Sequence, residues 1–340
     1  MQKATINSVA AYAGVSKKTV SRVLNNEPNV SVKTTQKVND AFKALAYKPS
    51  PQARGLASNQ SFLIGLIYDN PNKDYIHEIQ MGALNVCNDE GYHLVIHPAV
   101  FKSENILQNL KDFIIQSQLD GLVLTPPFSD MHSLLEILEK NDIAHVRIAA
   151  TEQISDSICV INNDQEASYE ITDYIISLGH RDIGFIKGHP EHNVSAQRFK
   201  GFEQALIDHG LEVKSQYIEQ GYFDFVSGVS CANKLLNLDS PPTAIFASND
   251  YMAAGVLKAA SLKKIKVPDD LSITGFDDVA ISRYLWPSIT TIQQPVRLMA
   301  SKALDILIKQ IRKQTIEQPQ IQLASQLLIR ESCAELSAKC

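Results

Sequence analysis

Near its amino terminus the chain reads INSVAAYAGVSKKTVSRVLN at residues 6–25. In this stretch Val9 and Ala13 stand four residues apart, and so do Val20 and Leu24. That spacing places each pair on one face of an α-helix. The stretch therefore predicts two short helices joined by a tight turn, which is the layout of a helix-turn-helix motif.

A third helical pattern follows, because Val38, Ala41 and Leu45 also repeat at the helical period. Gly14 lies between the first two patterns, where a sharp turn needs the left-handed backbone that glycine adopts without strain. A hydroxyl that can accept a free backbone N–H precedes each of the three patterns, at Thr5, Ser16 and Ser31. We predict a small all-α domain over residues 1–49.

The charge of this domain indicates its partner. Residues 1–60 hold nine lysines and arginines against two acidic residues, a formal charge of +7. The whole chain carries −5, so the remainder carries −12. A basic head on an acidic body is expected when only the head meets a polyanion, and we predict double-stranded DNA as that partner.

Within the second helix the side chains suit different parts of a duplex. Arg22 can donate two parallel hydrogen bonds to guanine, Lys17 and Lys18 can reach guanine or phosphate, and Ser21 is small enough to approach a base edge. Hydroxyl and amide groups suit phosphates, although a lysine on its own is equally well explained as a solvated surface charge. From this domain we predict DNA contacts by Thr5, Ser16, Lys17, Lys18, Thr19, Ser21, Arg22, Asn25, Ser31 and Thr34.

These residues closely resemble the head of the lac-repressor (LacI/GalR) family of bacterial transcriptional regulators. The shared features are Val9-Ala10, Ala13-Gly14-Val15-Ser16 and Thr19-Val20-Ser21-Arg22-Val23, and the resemblance continues to about residue 335. It implies a repressor that binds a near-palindromic operator as a homodimer under the control of a small molecule.

Residues 50–60 link the head to the body. Ser50 can cap a short helix and Pro51 suits its first position, but so short a helix containing Gly55 is unstable alone. The resemblance implies that it orders on DNA, with Leu56 as an apolar wedge in the minor groove and Ala53 beside it. A plain flexible linker is the alternative.

The 280 residues from position 61 onward exceed what one hydrophobic core usually covers. Short apolar runs alternate with helical patterns in two groups, which predicts two lobes, each a doubly wound parallel sheet. The runs are 62–67, 94–96 and 121–124, then 183–186, 244–247 and 273–276. The resemblance implies a core like that of periplasmic binding proteins, with chain crossings near residues 160, 290 and 320. The lobes are then residues 61–160 with 292–320, and residues 161–291 with 321–340.

Ligands of open parallel sheets bind beyond the carboxyl ends of the strands. Polar or aromatic residues follow four of the predicted strands, at Asp69, Phe128, Asn249 and Asp277. Set against the family, Arg198 and Asp277 match the pocket arginine and aspartate, Asn249 the cleft asparagine, Phe223 the aromatic wall and Tyr75 a ligand-facing aromatic. Each has a structural alternative: Asp277 as a helix cap, Asn249 as a turn residue, Phe223 as core, and Arg198 as a bridge to Asp277.

This combination fits a polyhydroxylated effector, because carboxylate and guanidinium groups bind adjacent hydroxyls while an aromatic ring covers an apolar sugar face. A sugar is therefore favoured. A purine or nucleoside between Phe223 and Tyr75 is the alternative, and purine-binding relatives are corepressor-dependent, so the sign of the response stays open.

Other classes of protein fit the sequence less well. No apolar run is long enough to span a bilayer and no signal core is present, which predicts a cytoplasmic protein and counts against a solute-binding transport receptor. The five cysteines are scattered and show no metal-binding spacing, and no nucleophile or dinucleotide motif appears. We predict no enzyme activity, metal or cofactor; an enzyme acting on a sugar is the remaining alternative.

Overall fold

The structure is a computed structural model that describes residues 4–24, 29–47, 60–151 and 157–336. It forms two compact units, one with the amino-terminal helices and one with both large sheets. The helices are α1 (Ile6–Ala13), α2 (Lys17–Leu24), α3 (Val32–Ala44), α4 (Lys73–Glu90), α5 (Ile106–Ser117), α6 (His132–Lys140), α7 (Asp164–Ser177), α8 (Val194–Asp208), α9 (Phe225–Leu235), α10 (Asp250–Leu262), α11 (Ala280–Tyr284) and α12 (Val296–Ile311). The strands are β1 (Leu63–Tyr68), β2 (His93–Pro98), β3 (Gly121–Leu124), β4 (Ala144–Ile148), β5 (Cys159–Asn162), β6 (Ile183–Lys187), β7 (Ile218–Gln220), β8 (Ala244–Ala247), β9 (Ser272–Thr274), β10 (Thr291–Gln293), β11 (Gln320–Leu323) and β12 (Gln326–Leu328).

The three predicted head helices are confirmed, together with the residues that begin them. Thr5 and Ser8 form a capping box in which each side chain accepts a backbone N–H of the other. Ser16 and Ser31 accept the N–H groups of Thr19 and Thr34 at 3.1 and 3.3 Å. These bonds satisfy backbone donors that a helix start otherwise leaves unpaired.

The turn and the core of the head follow from the same short stretch. Gly14 has φ +64°, the left-handed conformation that ends α1 after Ala13. Val9, Val20, Val38 and Ala41 are fully buried and form the centre of the core. Because all of these residues lie within the first 47, the head builds its core from local sequence.

The first lobe contains a six-stranded sheet in the order β11-β5-β4-β3-β1-β2. The pairs β11–β5, β5–β4, β4–β3 and β3–β1 are parallel. The central strand β3 is an apolar run in which every residue is buried, as expected for a sheet covered on both faces.

The second lobe contains a four-stranded sheet in the order β7-β6-β8-β9, and each of its pairs is parallel. Phe185 on β6 packs against Phe202 of α8 and Phe246 of β8, with ring centroids 4.7 and 5.1 Å apart. The prediction of two doubly wound parallel-sheet lobes is confirmed.

Across the described residues, we find no helix with both the length and the apolar surface needed to cross a membrane.

The chain passes between the two sheets after β5, after β10 and after β11. β10 pairs antiparallel with β12, so these two strands form a small ribbon. The sequence predicts residues 321–340 in the second lobe, but β11 (Gln320–Leu323) pairs with β5 in the first sheet. This placement corrects the predicted boundary by a few residues. A short edge strand with alternating exposure is hard to assign by periodicity alone.

Candidate functional site

The head presents one apolar and one basic face on α2. Val20 and Val23 are buried on the apolar face. Lys18, Ser21 and Arg22, at i, i+3 and i+4, lie together on the opposite side. Lys17 and Lys18 are exposed, and Ser21 and Arg22 are partly exposed. The predicted base-reading residues therefore share an accessible surface of α2.

The predicted phosphate-contacting hydroxyls already have structural partners. Ser16 Oγ lies 2.9 Å from Thr19 Oγ1, and Ser31 Oγ lies 2.9 Å from Thr34 Oγ1, in addition to the caps described above. A hydroxyl has one donor and two acceptor sites, so capping leaves capacity for a further contact. Asn25, Ala53 and Leu56 lie outside the described residues, so their roles stay predictions.

In the unit with both sheets, a cavity of about 30 Å³ lies where the two lobes meet. We call it the central cavity; its lining consists of Asn70, Asn72, Tyr75, Pro126, Ala149, Asp164, His192, Val194, Arg198, Phe223, Asn249, Asp277 and Gln294. A space of this size holds only about one or two water molecules. At this cavity Asn72 of the first lobe donates a hydrogen bond to Asp277 of the second, so the two lobes are in contact here.

The centre of the cavity wall is a buried guanidinium between two carboxylates. Arg198 on α8 donates from Nε to Asp164 Oδ1 at 2.8 Å, and its Nη1 lies 3.4 Å from Asp277 Oδ1. The same Nη1 donates to the carbonyl oxygen of Ser248 at 2.5 Å, and the guanidinium stacks 3.8 Å from the ring of Phe276. Carboxylates outnumber cations in this group by two to one, so it carries surplus negative charge.

Asp277 is held by donors from both lobes. Asn72 Nδ2 donates to Oδ2 at 2.8 Å, and Gln294 Nε2 donates to Oδ1 at 2.6 Å. Burial raises the pKa of Asp277 to about 6, although Arg198 acts in the opposite direction. Its backbone has φ +105°, an unusual value for a residue other than glycine, just beyond the end of β9. Strained backbone of this kind is often found at functional sites.

Phe223, the predicted aromatic wall of the site, is held in position by its neighbours. Phe223 has φ +62°, and its carbonyl oxygen accepts a 2.8 Å hydrogen bond from Asn249 Nδ2. Gly188 lies so close that a Cβ there would come within 2.1 Å of the Phe223 ring. Asn249 also caps α10 by accepting the N–H of Met252 at 2.9 Å. Asn249 thus combines the turn role with a place in the cavity wall.

Five of the seven predicted effector residues line the central cavity: Tyr75, Arg198, Phe223, Asn249 and Asp277. The structure does not bring the other two to that lining. Asp69 accepts the N–H of Phe101 at 2.9 Å, and Phe128 is buried edge-on against Phe101. Both residues follow strands as predicted, but their side chains turn towards the first lobe's own loop.

Sequence reasoning missed Asn72, Asp164, His192 and Gln294, which also line the cavity. Asp164 begins α7 just after β5, so the rule for strand ends would have found it. His192 is buried, and this burial lowers its pKa to about 3, which leaves it neutral. Gln294 follows β10 at a crossing between lobes and lacks a local signal of function.

Further contacts join the two lobes around the cavity. Tyr251 donates its hydroxyl to Asp74 Oδ2 at 2.9 Å. Lys102 Nζ lies 2.6 Å from Glu191 Oε1, and Asn193 Nδ2 donates to Asp130 Oδ2 at 3.2 Å. With Asn72 and Asp277, these pairs hold the closed arrangement, and all of them must separate when the lobes open.

Comparison with known families matches both units. Residues 5–50 match the model of the lacI family of bacterial regulatory proteins, and residues 172–333 match the periplasmic binding protein-like domain. The chain is 34% identical over 333 residues to the HTH-type transcriptional repressor PurR of Histophilus somni (strain 2336), which covers 98% of this chain and 100% of that protein. It is 32% identical over 330 residues to catabolite control protein A of Priestia megaterium, covering 96% of this chain and 98% of the relative.

Solved structures agree with these matches. The lac repressor dimer bound to operator and the anti-inducer ONPF superposes with a TM-score of 0.78 at 25% identity, over 98% of this chain and all of that one. The complex of the transcriptional regulator CelR with cellobiose gives a TM-score of 0.74 at 25% identity, over 97% of this chain and all of that one. The chain therefore belongs to the LacI family and is an effector-controlled DNA-binding transcriptional repressor, not an enzyme.

Proposed function

We propose that this repressor responds to an uncharged sugar bound in the central cavity. The observation that carries the proposal is the buried group in which Arg198 lies between Asp164 and Asp277, beside the ring of Phe223. Carboxylate oxygens accept hydrogen bonds from sugar hydroxyls and the guanidinium donates to them, while the ring covers an apolar sugar face. The cellobiose bound by the structural neighbour CelR supports the same class of ligand.

Charge separates neutral sugars from their phosphates. The carboxylates of Asp164 and Asp277 outnumber the one guanidinium between them, and all three side chains are buried. A phosphate placed here would face surplus negative charge in a poorly solvated site, which is unfavourable. We therefore expect neutral sugars to bind more tightly than sugar phosphates.

Binding requires the lobes to move. Pockets for ligands of ordinary size measure about 300–1,000 Å³, whereas the central cavity measures about 30 Å³. A ligand must therefore displace the contact between Asn72 and Asp277 and replace its hydrogen bonds. An effector shifts the equilibrium between two arrangements of the lobes only if it binds one arrangement more tightly than the other. We infer that the replacement of these hydrogen bonds by the ligand is the step through which a sugar changes operator affinity.

For the head, we propose that α2 enters the major groove and that Arg22 reads a guanine. We further propose a homodimer, which requires a near-palindromic operator, acting in the cytoplasm where that DNA is found. Arg22→Ala is expected to weaken binding by about 1–3 kcal/mol and to relax one base position. Sequence selection from random duplexes with both proteins would test this, and an unchanged base preference would exclude Arg22 as the reader.

A thermal-shift panel of neutral sugars, their phosphates, purine bases and nucleosides tests the effector class, since a ligand selective for the folded state raises its melting temperature. Titration calorimetry and operator anisotropy then follow with each ligand that binds. Asp277→Asn should weaken sugar binding about tenfold or more, because it replaces an acceptor of charged hydrogen bonds. The matched control Asp239→Asn changes an exposed aspartate and should leave binding unchanged. Tighter binding of a phosphate than of its parent sugar would contradict the charge argument.

A nucleobase is the second candidate, because Tyr75 and Phe223 both line the central cavity and offer two aromatic faces. Purine binding in the panel without sugar binding would replace the first proposal by this one. Tyr75→Ala should then reduce purine affinity about tenfold, in line with the value of base stacking on an aromatic ring.

A further inference from the structure

A second cavity of about 290 Å³ lies beside the central cavity. We call it the lateral pocket; it is bounded by the start of α7, by α8, by β11 and by the segment after β4. Ala149, Asp164 and Val194 line both cavities. The two spaces are therefore neighbours with a common wall, and a ligand that reaches Asp164 from one side also lies at the edge of the other.

The polar groups of the lateral pocket come from both lobes. Gln165 and Glu166 lie in the first turn of α7, Gln197 lies on α8 and Gln322 lies on β11. Because β11 belongs to the first sheet while α7 and α8 follow the crossing into the second lobe, a ligand here would contact both lobes. It would also contact Asp164, which binds Arg198.

The two cavities differ in how far their polar groups are already engaged. In the central cavity, Asn72, Asp164, Arg198, Asn249, Asp277 and Gln294 all make hydrogen bonds to other protein groups. In the lateral pocket, Thr151 and Asn162 are likewise bonded, to Asp130 and Gln294. None of the described residues makes a side-chain hydrogen bond to Gln165, Gln197 or Gln322. Gln165 and Gln322 are exposed and Gln197 is partly exposed, so water can satisfy these amides in the ligand-free protein. A ligand can replace that water, and the amides then offer donors and acceptors to a concave space of about 290 Å³.

The lining also selects for ligand charge. Among the described residues it contains the carboxylates Asp164 and Glu166 and no lysine, arginine or histidine. Amides accept hydrogen bonds from neutral hydroxyl groups and also donate to them, and carboxylates accept them. An anionic group would instead meet two negative charges. Ile161 and Val194 supply the apolar surface against which a sugar ring can pack.

We propose that the lateral pocket is a second sugar subsite, so that the effector is a disaccharide with one ring in the opened central cavity and one ring in the lateral pocket. This inference rests on the proposed function of the central cavity. The glycosidic link would pass Asp164, the charged residue common to both linings. Binding of the second ring by Gln197 and Gln322 ties the two lobes together through the ligand.

Titration calorimetry with the full-length protein tests this subsite. The probes are cellobiose, maltose, lactose, sucrose and trehalose, each compared with its own monosaccharides. At least one disaccharide should bind about tenfold more tightly than its components. The double variant Gln197→Ala/Gln322→Ala should lose about tenfold in affinity for that disaccharide, the value of two modest hydrogen bonds, and keep its affinity for the monosaccharide within about twofold.

A matched control is the double variant Gln204→Ala/Gln320→Ala, which removes exposed glutamines from α8 and β11 outside the lateral pocket. It should bind both ligands like the wild type. Monosaccharide binding that no disaccharide exceeds, or equal losses for both ligands in the first variant, would overturn the second subsite and leave the proposed function intact. If none of these sugars binds, the proposed effector class and the subsite fail together.

Discussion

The head and the central cavity are built in opposite ways. Hydrogen bonds that begin the head helices join residues three positions apart. The bond between Asn72 and Asp277 joins residues 205 positions apart. Structure formed by local contacts can be read from periodicity, whereas a site assembled from distant segments exists only once the sheets have formed. Head and cavity should therefore fail independently when each is damaged.

The largest effect is expected from a charge placed in the head core. Val38 is fully buried, so Val38→Asp buries a carboxylate without a partner, at a cost of several kcal/mol to a core of few side chains. Operator affinity should fall by about 100-fold or more. Fluorescence anisotropy with an operator fragment selected by the wild-type protein would measure it, while the effector affinity should not change.

The adjacent substitution Asn39→Asp is the matched control for Val38→Asp, because it adds the same charge to an exposed position of α3. Its operator affinity should stay within a few-fold of wild type, since exposed charges interact weakly. If both variants lose binding equally, charge and not core packing explains the loss. If Val38→Asp also abolishes effector binding, the head and the cavity are not independent.

The next effect concerns the cavity. Arg198→Met leaves Asp164 and Asp277 buried without their cation, and breaking a buried pair in this way typically costs about 3–5 kcal/mol. Urea denaturation should show this decrease in the free energy of unfolding of the two lobes. Lys200→Met removes an exposed cation from the same helix and should change the unfolding free energy by no more than about 0.5 kcal/mol. A similar loss in both variants would rule out the buried group as the cause.

A smaller effect is expected from pH. Burial raises the pKa of Asp277 to about 6 from 3.8, so between these values the folded state binds more protons than the unfolded state. The contribution of Asp277 to stability is therefore greatest below about pH 4 and is lost as the pH rises to about 6. The unfolding free energy of the wild type minus that of Asp277→Asn should therefore decrease as the pH rises over this range. A difference that rises with pH would show that the pairing with Arg198 outweighs burial.

The smallest effect concerns the contacts that close the lobes. Tyr251→Phe removes the hydroxyl that donates to Asp74, a change of about 0.5–1.5 kcal/mol. Because this hydrogen bond joins the two lobes, its loss should favour separated lobes. Small-angle scattering of the ligand-free variant should then show a slightly larger radius of gyration, and the effector affinity should change a few-fold. Tyr284→Phe changes an exposed tyrosine and is the control. Identical scattering of all three proteins would mean that this bond does not hold the lobes closed.

The residues show how much of the fold could be predicted. Val9, Val20, Val38 and Ala41 were identifiable because a helix repeats its buried face every three or four residues. The run at residues 121–124 coincides with β3 because a strand covered on both faces is a continuous apolar run. β11 was misplaced because its exposed and half-buried residues alternate over only four positions.

The cavity was predictable only in part. Asn249 and Asp277 were found at the ends of predicted strands and by family resemblance. Tyr75, Arg198 and Phe223 were found by family resemblance alone. The structure places all five in one lining. Asn72 and Gln294 carry no local signal, since an isolated amide has the same sequence appearance in a loop and in a binding site. The geometry also decided between alternatives, because Arg198 does form the bridge to Asp277 that was one structural explanation for it.

The sequence by itself determined the basic helix-turn-helix head and the alternation of buried strands with helices, because periodicity and charge are properties of short segments. Only the tertiary structure decided which side chains meet at the cleft, that Asp277 is bound by both lobes and that a polar pocket adjoins Asp164. The physical reason is that these contacts join residues far apart in the chain. Their positions are fixed by sheet order and by the closure of two lobes, which no local pattern encodes.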